Sequence, residues 1–304
     1  MNVTNFLEGC ASSTLARHAA FLLFCGAGIA LSLGAVTRLF TFSLNSELYT
    51  YIPAIPLISL YFLCVNRKTI FADLSWNWRA GAFLIASGIA LSFLARRIGG
   101  LDENDYLSLA MSGVVLWVFG VFVAAYGSRS FRKALFPLLI LVFVIPVPTP
   151  ILDALVELLR IGSTLAAHLL FKLTGVPVYR EGFFFSVPGT TVEVAKECSG
   201  IRSAVALVIT SLLGGNLFLR KGWSRVILTL SVFPITIFKN ALRITTLTLL
   251  AAYVDPRFVK GAWLHKSGGI PFFLVGLVLI APVLWALWKN EKRGKKLGPG
   301  GWER

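Results

Sequence analysis

Eight long apolar runs divide the chain, at residues 19–36, 51–65, 80–95, 107–125, 134–147, 201–219, 226–252 and 270–288. A helix that crosses a bilayer needs about 20 mostly apolar residues, and most of these runs come close to that length or reach it. The second, third and fifth are short and need their flanks to complete a crossing. Composition agrees: 56% of residues are hydrophobic and 14% charged, against about 45–50% and about 25% in an average soluble domain. Lipid is therefore the solvent. The expected fold is an all-α polytopic membrane protein with about eight transmembrane helices. The net charge of +15 fits loops rich in Lys and Arg on one membrane face. No soluble basic domain is left over to bind nucleic acid. The first run lacks a small-x-small cleavage site and reads as an uncleaved first helix.

One further run, 151–173, has a different pattern. Its polar residues Asp153, Glu157, Arg160, Thr164, His168 and Lys172 recur every three or four positions, which puts them on one helical face. A helix lying in the membrane interface would carry such a stripe. Pro146, Pro148 and Pro150 let the chain turn just before it. With the N-terminus inside and eight alternating crossings, the inner segments hold most of the Lys and Arg, while the outer segments are balanced. This positive-inside pattern sets the orientation, with both termini cytoplasmic. It holds only if 151–173 does not cross. On the outer side, the β-like runs 183–187 and 191–195 flank Pro188-Gly189 and suggest a small hairpin. The chain reads as one integral membrane domain. Residues 19–133 give four N-terminal spans, 134–288 the core that carries the chemistry, and 289–304 a basic cytoplasmic tail without fixed structure.

Cys10, Cys25 and Cys64 fall in the inner N-terminus or in apolar runs and read as unremarkable residues. Cys198 is the cysteine this topology places outside, and it has no outer partner for a disulfide. It opens the sixth run, where Ser199 and Gly200 suit a helix start, and the positive end of a helix favours a thiolate. Arg202, four residues on, would lie about one turn below on the same face. Glu193 and Glu197 would oppose these effects if they point at the sulfur. Arg243 lies deep in the seventh run, behind Lys239 and Asn240. A charge in a span costs at least about 2.5–3.5 kcal/mol on insertion scales and marks a functional candidate. It could also snorkel to headgroups or pair with a structural carboxylate. His265 stands just before the last run. His18 and His168 read as solvated or interfacial. Together Cys198, Arg243 and His265 could supply a nucleophile, an electrostatic stabiliser and a general base. Nothing points to a cofactor, and no ligand cluster has metal spacing. Two other readings use the same residues: an anion transporter or channel lined by Arg202, Lys239 and Arg243, and a serine protease using Ser199. A third is a non-catalytic assembly subunit.

The stretches VAKECSGIRSAV around Cys198, FKNALRI around Arg243 and HKSGG at His265 resemble the exosortase/archaeosortase family, over roughly residues 134–288. The histidine at the third position resembles the exosortase branch. The resemblance implies a membrane cysteine transpeptidase in a bacterial inner membrane, with its active site on the outer, periplasmic face. Its substrates would be exported proteins with a C-terminal sorting signal: a Pro-Glu-Pro-like motif, a transmembrane helix and a basic cluster. They would pass through an acyl-enzyme to a cell-surface acceptor. On the same analogy Cys198 is the nucleophile, Arg243 the stabilising cation and His265 the acid/base. Arg202, Asn240 and Ser199 would support them.

Overall fold

The structure is a computed structural model that describes residues 3–255 and 269–296. Among these, six helices are long and apolar enough to cross a membrane, or seven if the bent pair at the N-terminus is one span. The expected polytopic helical architecture is present, with six or seven helices of spanning length where eight were expected. The chain forms two compact units, residues 1–151 and 152–304.

In the first unit, α1 (Val3–Leu31) and α2 (Leu33–Asn45) meet at a 76° bend. Then come α3 (Ala54–Val65), the short α4 (Arg67–Ile70), α5 (Trp78–Arg97), α6 (Glu103–Lys133) and α7 (Leu135–Leu141), which ends in a 3₁₀ turn, Val142–Val144. Helices α5 and α6 pack through small residues. A Cβ on Gly88 would lie 2.6 Å from the Gly113 carbonyl, and one on Gly120 would lie 2.8 Å from that of Gly81. Between membrane helices, such close backbone approach replaces the hydrophobic drive that lipid removes.

Helix α6 also separates two ends of this unit. At one end Ser75 N–H donates to the Tyr126 carbonyl, Asn77 donates to Ser128 at 2.8 Å and Lys133 pairs with Asp73 at 2.6 Å. The basic segments 66–79 and 126–133 thus share one end. At the other end Asn104 donates to the Val147 carbonyl at 2.8 Å and Thr149 N–H to Asp105 at 2.6 Å. Tyr49 also donates to the Val147 carbonyl. Helix α3, with 12 residues, spans only about 18 Å at about 1.5 Å per residue. With its flanks it still runs from one end of the unit to the other, as does α7 with its 3₁₀ turn. His18 differs from the solvated reading. Its Nδ1 lies 2.8 Å from the Tyr126 hydroxyl, and its ring packs edge-on to Phe71.

The second unit contains most of α8 (Thr149–Thr174), a three-stranded sheet, and the helices α9 (Ile201–Phe218), α10 (Gly222–Tyr253) and α11 (Gly269–Lys296). Leu207, Leu219, Leu228, Val232 and Ile280 form the buried core between the last three helices. The Glu291 carboxylate accepts the backbone N–H groups of Arg220 and Lys221 at 2.8 and 3.0 Å, which ties the α9–α10 turn to α11. Helix α11 continues past Trp288 to Lys296, so the expected tail is helical at its start; residues 297–304 lie outside the described residues. The sheet is an antiparallel meander of β1 (Tyr179–Glu181), β2 (Phe184–Val187) and β3 (Thr190–Glu193). The expected hairpin around Pro188-Gly189 is β2–β3; β1 is an additional strand. Phe185, Val187 and Val194 pack on Ala167 and Phe171 of α8 and on Ala241 and Ile244 of α10.

Helix α8 differs from the interfacial reading in two respects. It is among the helices of spanning length, and the middle of its polar stripe meets protein, while Asp153 and Lys172 near its ends are exposed. Thr164 is fully buried, and Arg160 donates to the Val194 carbonyl at 2.6 Å while sitting 3.7 Å over the Phe183 ring. His168 stacks on Phe185. The exposed face is apolar, with Leu158, Ile161, Leu165, Leu169 and Leu173. Periodicity correctly finds two faces, but the sheet takes the place assigned to water.

Candidate active site

The site is built on the junction between the sheet and α9. After β3 the chain makes a 3₁₀ turn, Lys196–Ser199, and Gly200 then takes the left-handed conformation with φ +83° as the N-cap of α9. Cys198 therefore precedes the helix instead of opening it. The reversal at Gly200 also removes the one-turn relation to Arg202. That side chain is exposed and does not line the cavity described next.

Two neighbouring residues of α10 hold this turn. Asn240, 2% exposed, donates from Nδ2 to the Cys198 carbonyl at 2.7 Å. Lys239, 3% exposed, donates to the Ser203 hydroxyl, which donates in turn to the Gly200 carbonyl at 2.9 Å. The Lys239 stem passes Gly276 of α11, where a Cβ would lie 3.3 Å from its Cδ. Gly200 is required twice. An L-residue is strained at its φ, and a Cβ there would lie 3.2 Å from Asn240 Cγ.

The half-buried Cys198 lines a cavity of about 120 Å³ together with Asn240, Arg243, Ile244 and Leu247 of the following elements, and with the whole of 191–194. The charges that act on the thiol are those of Arg243, Glu197 and Glu193. The structure thus brings Cys198, Asn240 and Arg243 together. Ser199 is fully buried and outside the cavity lining, which places its hydroxyl out of reach as a nucleophile. His265 lies outside the described residues. Arg243 lines the Cys198 cavity, whereas Arg202 and Lys239 do not.

The Lys239–Ser203 link and the place of Glu193 in the cavity are not evident from the sequence. A second serine in CSGIRS and a lysine beside Asn240 were the available signals, but nothing in their spacing pairs residues 36 positions apart.

A family comparison decides the wider identity. The profile described as transmembrane exosortase matches residues 43–282, well over half of the chain. The chain belongs to the transmembrane exosortase family. Its sorting role is therefore the family's in general terms, and it acts in a membrane on protein substrates. Neither a curated protein nor a solved structure matches this exosortase.

Proposed function

We propose that this exosortase is a cysteine transpeptidase that cleaves a C-terminal sorting signal from exported proteins and passes the new carboxyl end to a cell-surface acceptor. One observation carries the reading: Cys198 and Arg243 line a single cavity, and Asn240, which lines it too, holds the Cys198 carbonyl.

The Cys198 thiolate attacks the scissile carbonyl carbon, and the carbonyl π pair moves onto oxygen. Arg243 stabilises that oxyanion with its planar set of donors, as a positioned cation does in acyl transfer. The C–N bond then breaks, and the departing amine takes a proton from His265. A thioester on Cys198 remains. An acceptor amine or hydroxyl gives its proton to His265 and attacks the thioester, and the thiolate is released. Water would give hydrolysis by the same route. On this reading the site faces the outer side of a bacterial inner membrane.

The test uses the full chain in membranes with a protein that ends in a Pro-Glu-Pro-like motif, a membrane span and a basic cluster. Cys198→Ala should abolish processing, and the wild-type intermediate should be released by hydroxylamine. Processing that survives Cys198→Ala excludes the thiol mechanism.

A further inference from the structure

We infer that the free edge of β3 is the substrate-binding strand: the segment to be cleaved pairs with Thr191 and Glu193 as a fourth strand and so reaches Cys198. The inference rests on the transpeptidase reading and specifies how its peptide substrate is held.

The first observation is the sheet order, β1-β2-β3, which leaves one side of β3 without a strand among the described residues. The second is the register. Pro188 and Gly189 form a two-residue turn between the partners Val187 and Thr190, and Val194 N–H donates to the Phe183 carbonyl at 2.9 Å. Antiparallel pairs alternate between hydrogen-bonded and non-bonded positions. Thr190, Val192 and Val194 therefore turn their backbone groups towards β2. Thr191 and Glu193 turn both N–H and C=O outwards, the pattern that a further strand completes.

The third observation links this edge to the chemistry. Residues 191–194 all line the Cys198–Arg243 cavity. Successive side chains of a strand point to opposite faces, so four consecutive residues can line one cavity only if it runs along the strand's edge. A cavity of about 120 Å³, smaller than the roughly 300–1,000 Å³ of a whole-ligand pocket, encloses only part of the peptide. The rest of the peptide would lie along the strand. The end of β3 is held firmly. Arg160 binds the Val194 carbonyl at 2.6 Å and Glu193 at 3.4 Å, and its side chain is 13% exposed. Strand addition of this kind draws affinity from backbone hydrogen bonds and selectivity from the alternate side chains. Here the inward-facing substrate side chains would meet Val192, Ile244 and Leu247.

The experiment leaves the enzyme unaltered. Peptides covering the cleavage region are methylated at one backbone nitrogen at a time and presented to the full-length protein in lipid nanodiscs. Cys198 thioester formation is read for each peptide. The proposal expects a period of two, with about 10- to 100-fold slower acylation at alternate amides on one side of the scissile bond and under threefold change at those between. Equal effects at adjacent amides, or none, would overturn it while leaving the transpeptidase reading intact. If the unmodified peptide forms no thioester, that reading fails, and this inference fails with it.

Discussion

Gly200→Ala tests the site most sharply, because one added methyl group meets two separate obstacles. The left-handed conformation at φ +83° costs an L-residue roughly 1–2 kcal/mol. The new Cβ would also stand 3.2 Å from Asn240 Cγ and 3.3 Å from its Oδ1, so Asn240 must yield by a few tenths of an ångström. That movement loosens the 2.7 Å bond to the Cys198 carbonyl, and a buried carbonyl left unpaired costs about 1–3 kcal/mol. A penalty of one or two kcal/mol is about 5- to 30-fold in the population of the competent turn. A displaced thiol adds to this, since a shift of about 1 Å can cost about 10²-fold in rate. Processing should fall by about 10- to 100-fold. The assay is single-turnover thioester formation by purified protein in nanodiscs, with the thermal midpoint in detergent as a check on folding. Gly200→Asn separates the two obstacles, because asparagine tolerates the left-handed region but keeps the Cβ. It should recover only part of the loss. Asn240→Ala in the Gly200→Ala background removes the clash and should cost less than the sum of the single changes. A folded Gly200→Ala protein within twofold of wild type would refute the assigned role of this turn.

Three further outcomes follow from the same geometry. Arg243→Lys keeps the charge and loses the planar fork, so acylation should slow by about 10²-fold or more, the usual effect of removing one oxyanion donor. Lys239→Met and Ser203→Ala each break the link to the Gly200 carbonyl. Each should reduce acylation by about tenfold, and the double variant should be little worse than either, as coupled residues in one chain of bonds require. Asp73 lies outside the spanning helices, and the hydrogen bond and charge of Lys133 hold its carboxyl below the usual carboxylate range. Its folded value is depressed, so any stabilisation is present above the ordinary carboxylate value and lost as pH falls through the folded one. The difference in thermal midpoint between wild type and Asp73→Asn should therefore be small at neutral pH and vanish in acid, because the pair is solvent-exposed.

What could be read from the sequence reflects the range of each signal. Apolar runs report local solvent, so the helical membrane architecture was legible, and so was the β2–β3 turn at Pro188-Gly189. The Cys198 and Arg243 motifs were legible through family resemblance, and the structure seats both in one cavity. The stripe on α8 was visible, but periodicity cannot distinguish water from a protein partner. Arg160 meets Glu193 and Val194, more than 30 residues later. The reading of Arg202 failed for a local reason. Four-residue spacing implies a shared face only within one continuous helix, and Gly200 interrupts it. From its neighbours alone Gly200 suits a helix start, whereas its positive φ and its contact with Asn240 set where the thiol stands.

The lengths of α9 and α10 bear on why the chemistry sits where it does. Helix α9 has 18 residues and α10 has 32, about 27 and about 48 Å at about 1.5 Å per residue. A hydrocarbon core is about 30 Å thick, so α9 just crosses it and α10 overshoots by roughly a third of its length. Counted from Gly222, beside Arg220, Lys221 and Arg225, the core is traversed near Ala241 of α10. From there on, α10 is the part that carries the sheet. Both helices thus mark the same level, with Gly200 at the start of α9 packed beside Asn240. Ionised groups cost most at the bilayer centre, and a thiolate mechanism needs several. On that count Lys239, Arg243 and the thiol lie near the slab edge, where a charge costs less than at the centre. On the transpeptidase reading, a substrate helix emerging from the same slab runs out of hydrocarbon at that level. Its backbone no longer has to satisfy its hydrogen bonds within a helix, and the open edge of β3 offers partners where the thiol waits.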